Sequence, residues 1–149
     1  MKGVKKEMSR VNKYRAWCKH SWIEDLEEKT EYFMEYNIRE AKIEDTPNYP
    51  QGRFIGKKGL WCAIHESVFM QYIGVDDKNG KEIYEDDIVL SDDGKVGQVQ
   101  WFEEHLAFMI WCVTDNKVYF AYDNDFSKIE VIGNVYESAD LLKEVGKNE

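Results

Sequence analysis

Residues 67–90, SVFMQYIGVDDKNGKEIYEDDIVL, decide the fold class. Ser67 to Ile73 is an apolar, β-prone stretch that runs into Gly74 and the turn sequence Asp76-Asp77-Lys78-Asn79-Gly80, and Ile83 to Leu90 reads as the strand that follows. Asn79-Gly80 offers two residues that tolerate positive φ, which suits a tight turn between antiparallel strands. Downstream the pattern repeats as the turn Ser91-Asp92-Asp93-Gly94, the strand Gly97 to Phe102, the connection Glu103-Glu104-His105 and the strand Ala107 to Val113. Val118 to Tyr122 and Ile129 to Val135 add two more strands, and Leu60 to Ile64 adds one upstream. Six or more short strands with evenly spaced turns predict a mainly β fold, either a small β-barrel or a strongly bent antiparallel sheet. Closure would also hide the strand edges. The expected core is Val89, Val99, Trp101, Phe108, Ile110, Val131 and Val135, and Trp101→Ala should cost about 3 to 5 kcal/mol if that ring is buried.

Toward the N-terminus, Tyr14 to Trp17 reads as a short strand. The segment 22–42 fits two patterns: Trp22, Leu26, Phe33 and Tyr36 suit a helical face, while Tyr32, Met34, Tyr36 and Ile38 alternate as a strand would. A strand over 31–39 is the favoured reading. Residues 45–52, with Pro47 and Pro50 and no periodicity, form a loop, because proline removes a backbone donor and fixes φ. At the other end, Ser138 is placed to cap a helix of about six residues through Leu141, Leu142 and Val145, stopped by Gly146. This gives a single domain over 1–149, with a short C-terminal helix, a basic flexible arm at 1–12 and a loop at 45–52.

The composition bounds the function. With 149 residues, one real core is expected, and five Trp, nine Tyr and seven Phe make much of its apolar surface aromatic. Acidic residues outnumber basic ones 29 to 20, for a net charge of -9. Such a surface repels phosphate, so nucleic acid is disfavoured as a partner unless basic residues gather on one face. Lys2, Lys5, Lys6, Arg10, Lys13 and Arg15 are the densest basic run and read as a solvated arm. No run of about 18 apolar residues spans a bilayer, and no apolar stretch follows the N-terminal lysines as a secretory signal requires. Three cysteines, Cys18, Cys62 and Cys112, are too few and too scattered for a disulfide framework. Free thiols in a reducing cytoplasm are the expectation.

Particular runs are similar to a known family. Tyr14-Arg15-Ala16-Trp17, Met70-Gln71-Tyr72-Ile73-Gly74, the run from Asp77 to Val89, and Glu130-Val131-Ile132-Gly133-Asn134-Val135-Tyr136-Glu137 together resemble the YopX-like phage and prophage proteins, in the same order and at similar distances. The resemblance covers the start of the chain and nearly everything from position 68 on. It departs from the family pattern at Cys18, Ile73, Val75, Asp86 and Ser138-Ala139. Asp86 stands where the family carries glycine at a turn, a position that tolerates positive φ more readily without a Cβ. The resemblance implies a mostly β fold, a phage or prophage origin and hence the cytoplasm of a bacterial host cell. It implies no reaction.

Candidate chemistries each meet a plainer reading. Cys18-Lys19-His20 and Cys62-Ala63-Ile64-His65 together offer two thiolates and two imidazoles, a set zinc accepts, but Cys-x-His is not a standard zinc knuckle and buried thiols fit the apolar neighbours better. Asp76 to Gly80 has the oxygens of a calcium loop, yet the twelfth position counted from Asp77 is Ile88 where a bidentate Glu is needed, so a turn is preferred. Glu82, Glu85, Asp86, Asp87, Asp92 and Asp93 read as a solvated rim that blocks edge pairing rather than as an acid/base pair. Ser67, Ser91 and Ser127 lack a nucleophile-elbow context. Trp101, Phe102, Phe108, Trp111, Tyr119, Phe120 and Tyr122 have the makings of a base-stacking platform, but without a basic groove they are assigned to the core or to a subunit interface.

No catalytic, cofactor-binding or metal-binding residue and no cofactor is therefore assigned. The expected function is that of a noncatalytic interaction protein, binding a phage or host protein or copies of itself, with no membrane partner. The alternative is a nucleic-acid-associated small barrel or an enzyme whose site only folding assembles. Twenty-one aromatic residues exceed what a narrow barrel encloses, which favours a homo-oligomer.

Overall fold

The structure, a computed structural model, describes residues 13–120 and 128–147, so the expected arm at 1–12, Tyr122 and Ser127 lie outside the described residues. The fold is mainly β, built of antiparallel strands with one short helix near the C-terminus. It divides into two compact units, Lys13–Gln71 and the chain from Tyr72 onward.

In unit 13–71, β1 (Tyr14–Glu24) and β2 (Glu27–Glu35) form a long hairpin in register from Ala16↔Glu35 to Glu24↔Glu27. The expected strands at 14–17 and 31–39 are thus corrected: β1 continues to Glu24, and β2 is displaced toward the N-terminus. A two-stranded ribbon satisfies its ladder across the pair even where both faces meet water, so the polar run from Lys19 to Glu31 needs no buried stripe to stay extended. Asn37, at φ 53°, lies beyond the end of β2. β3 (Glu40–Lys42), β4 (Arg53–Ile55) and β5 (Trp61–Ala63) make a small antiparallel sheet with β4 central. The expected loop 45–52 lies between β3 and β4, where Thr46 and Tyr49 exchange backbone hydrogen bonds of 3.2 and 3.1 Å. Alternation along β1 sends Ala16 and Cys18 to one face, where they pack with Phe54 and Cys62, and with Phe33, Ile38 and Ile64 beside them. β6 (Val68–Asp76) begins here, pairing with β1 through Val68 to Gln71, and then carries the chain into the second unit.

In the unit from Tyr72, the rest of β6 pairs with β7 (Glu82–Tyr84). The next strands, β8 (Asp87–Leu90), β9 (Val96–Phe102), β10 (Ala107–Cys112), β11 (Lys117–Phe120) and β12 (Glu130–Asn134), form a sheet ordered β11-β10-β9-β8-β12. The meander runs as the sequence implies. The expected continuous strand 83–90 is broken, because Asp86 takes φ 69° and the Asp87 carboxylate accepts the Tyr84 N–H at 2.8 Å. The 76–80 turn also differs from a two-residue connection: only Gly80 has positive φ there, and Asp77 N–H donates to the Lys81 carbonyl. One sheet face gathers Val89, Val99, Ile110 and Val131 with Ile83 and Ile129. Gly97 lies on this face directly under Ile110, whose Cγ2 would stand 2.4 Å from an added Cβ, so only glycine fits.

The core list needs one clear correction. Trp101 is 43% exposed, while Phe108 and Val135 are half-buried. Register pairs Trp101 with Phe108 and Val99 with Ile110 on the same face, but the first pair lies beyond the core at the end leading to the 103–106 turn. Alternation specifies the face of a residue, not its distance from the centre.

The helix α1 (Asp140–Lys147) extends past Gly146, which therefore does not stop it. Its first turn is set by backbone bonds from Leu141 and Leu142 to the Ser138 and Ala139 carbonyls. Leu141 lies over Gly133, and the expected docking of Val145 falls outside the described side chains.

Candidate functional site

The polar groups of the second unit are best read from their partners. Turn 77–81 is built on the Asp77 carboxylate, which is 6% exposed: Oδ1 accepts the N–H groups of Asn79 and Lys81, each at 2.9 Å, and Oδ2 accepts Val131 N–H at 2.9 Å. Burial raises its pKa, but the three backbone bonds outweigh that and hold it below the ordinary value. This carboxylate thus ties a turn to a strand 54 positions away, with three of its roughly four acceptor sites taken by backbone N–H groups. Asn134 works similarly, its Oδ1 accepting the N–H groups of Tyr136 and Glu137 at 3.0 Å each before α1 begins. The expected acidic rim is dispersed: Glu82 accepts the Tyr84 hydroxyl, Asp87 holds the β7–β8 turn, and Asp93 accepts the Ser91 hydroxyl.

A cavity of about 60 Å³ lies at one end of this unit, with Val89, Gly97, Ile110, Cys112 and Ile129 on its apolar side. Its polar side carries Ser91, Asp93, Lys95 and Tyr119. Lys95 Nζ lies 3.6 Å from Asp93 and 3.5 Å from Asp115, and the Tyr119 hydroxyl donates to Asp115. The Tyr119 bond pulls Asp115 down to about 2, and the same bond pushes Tyr119 up. Tyr119, then the two carboxylates, raise Lys95, and Ser91 lowers Asp93. Every shift favours the charge state each group already holds at neutral pH. The network acts as a clasp between the β8–β9 and β10–β11 turns.

Unit 13–71 holds the paired cysteines. Cys18 and Cys62 meet in its core, and the hydrogen bond between them, with burial, pushes the Cys18 thiol well above its usual range. All three cysteines are free and buried. His20 stacks on Trp22 at 5.8 Å and His65 stands beside Glu66, and among the described residues no group of three metal-ligating side chains converges.

Two exposed features of this unit were not singled out from sequence. The hairpin tip turns at Asp25 and Leu26, with φ of 51° and 66°, and leaves Leu26 98% and Ile23 71% exposed. Near Tyr49, two open recesses of about 230 and 240 Å³ share Asn48 and Tyr49. Between them, Arg53 lies 4.4 Å over the Trp61 ring and 5.5 Å over Tyr49, and Lys42 lies 5.3 Å over Trp61. These residues come from β3, β4, β5 and a loop, so no local pattern announces them. The expected aromatic platform is only partly assembled: Trp101 packs edge-on to Phe108 at 5.0 Å, Phe120 meets His105, and Trp111 donates to Asn116.

These features define a mainly β protein in which the side chains of Asp77, Asp87, Asp93 and Asn134 hold turns. The chain belongs to the YopX protein family, whose model matches residues 13–143. Among solved structures it is similar to protein yopX from Bacillus subtilis, at 21% identity and a TM-score of 0.47, covering 87% of this chain and 96% of that one. Protein EF1440 from Enterococcus faecalis is similar at 21% identity and a TM-score of 0.45, covering 90% and 99%. No curated protein matches. Among the described residues no helix is long and apolar enough to cross a membrane.

Proposed function

We propose that this chain is a noncatalytic interaction protein of phage or prophage origin that associates with copies of itself in the bacterial host cytoplasm. The observation that carries the reading is the hairpin tip, where Leu26 and Ile23 project into solvent although the same chain buries smaller apolar side chains elsewhere. Exposed apolar side chains gathered on one projection favour a protein partner. Net charge does not oppose this, because repulsion between distant surface charges is screened within about 8 Å at physiological salt. Sedimentation equilibrium at micromolar concentration tests the reading. A mass above 17.6 kDa that rises with concentration supports it, and a single species of 17.6 kDa at every concentration refutes it.

A further inference from the structure

We propose that the β1–β2 tip of one copy seats in the Lys42–Arg53–Trp61 cradle of a second copy, so that self-association runs head to tail through unit 13–71. The inference rests on the self-association proposed above and names its two faces.

The tip carries a cost with no return inside its own fold. Leu26 holds φ 66°, a region where a Cβ is strained and glycine or asparagine is at ease, and it is 98% exposed. A leucine so placed contributes nothing to its own core. Around it stand Glu24, Asp25, Glu27 and Glu28, and the one cation beside them, Lys29, is engaged with Glu27 at 3.1 Å. The tip is therefore an apolar point in an acidic collar.

The cradle is its complement. Lys42 and Arg53 form no ion pair among the described residues; they are held against the Trp61 ring instead. An arginine stacked by its face keeps its N–H edge available for a carboxylate, and Tyr49 and Trp61 offer aromatic surface to an aliphatic side chain. Glu44 and Glu66 line the recesses as well, which leaves the positive charge centred on Lys42 and Arg53. Within unit 13–71 a chain of net charge -9 thus carries a local basic and aromatic recess and an acidic and apolar projection. Lys19, His20 and Ser21 of β1 line the second recess, so the ribbon leads away from it, and a paired ribbon cannot turn back to seat its own tip. The occupant is accordingly a second copy. A tip in a foreign cradle is a heterologous contact, which builds rings or open chains rather than an isologous dimer.

Sedimentation velocity of Leu26→Gly, Arg53→Glu and their equimolar mixture tests this, with Lys42→Glu as a second cradle variant and melting temperatures as the check on folding. Each variant alone should weaken self-association at least tenfold, with Leu26→Gly melting no lower than the parent. The mixture should recover association but stop at a dimer, because one copy retains only a working cradle and the other only a working tip. Folded variants that assemble like the parent would overturn the inference while leaving self-association standing. A mixture that stays monomeric would overturn it too. A parent monomeric at all concentrations would remove both readings. Fluorescent oligothymidylate bound in an Arg53-dependent manner, with assembly indifferent to Leu26→Gly, would assign the cradle to nucleic acid and overturn the inference.

Discussion

The two units treat charge and apolar surface in opposite ways. From Tyr72 on, carboxylates are spent on backbone N–H groups and on Lys95 and Tyr119, and Val89, Val99, Ile110 and Val131 close a core. In unit 13–71 the core is small, built on Ala16, Cys18, Phe54 and Cys62, while Leu26 and Ile23 stand in water and two cations rest on a tryptophan. The difference teaches that the region from Tyr72 holds the larger core and ties its carboxylates down, although Leu106 is exposed there too, while unit 13–71 pairs an exposed apolar tip with two cations that none of its described acids engages. Stability and association can therefore be perturbed separately.

The largest effect should come from the region from Tyr72. Ile110→Ala should cost about 3 kcal/mol through lost burial and a cavity over Gly97, read by urea denaturation, with association of the folded fraction unchanged. Asp77→Ala should follow at about 2 kcal/mol, because the N–H groups of Val131, Asn79 and Lys81 lose a charged acceptor at once. A loss below about 0.5 kcal/mol for either would deny that this unit carries the stability.

These sites were unequally legible in sequence. The meander from Val96 to Phe120 and the core at Val89, Val99, Ile110 and Val131 follow from alternation and turn residues, which are local signals. The role of Asp77 was hidden because its partner Val131 is 54 positions away; only the turn was readable. Trp101 was misplaced because its register gives the right face but not the core's edge. The β1–β2 ribbon was obscured since its polar outer half lacks the buried stripe that marks a strand. The cradle was invisible because Lys42, Arg53 and Trp61 come from three short strands.

Trp101→Ala sharpens the comparison at a lower level. With the ring 43% exposed, the loss should be about 1 kcal/mol rather than the 3 to 5 expected of a buried tryptophan. Acid titration probes the clasp. The Asp115 pKa falls from 3.8 to about 2 in the folded chain, so its contribution is present above the unfolded value and is lost as pH falls through the folded one. Asp115→Asn should therefore flatten the decline in stability between about pH 4 and pH 2, measured by denaturant melts, and leave the curve above about pH 5 parallel to the parent's. The smallest effect is expected at the β7–β8 turn. Asp86→Gly relieves a positive φ and should raise stability by about 0.5 kcal/mol, since aspartate already tolerates that region better than most residues.

Hydrogen–deuterium exchange at two protein concentrations, one below and one above the onset of self-association, tests the division of labour most directly. The account predicts that raising the concentration slows exchange in residues 22–28 and in 42–61, while residues 83–112 keep the same protection at both concentrations. Concentration-dependent protection confined to 83–112, with the tip and the cradle unchanged, would contradict it.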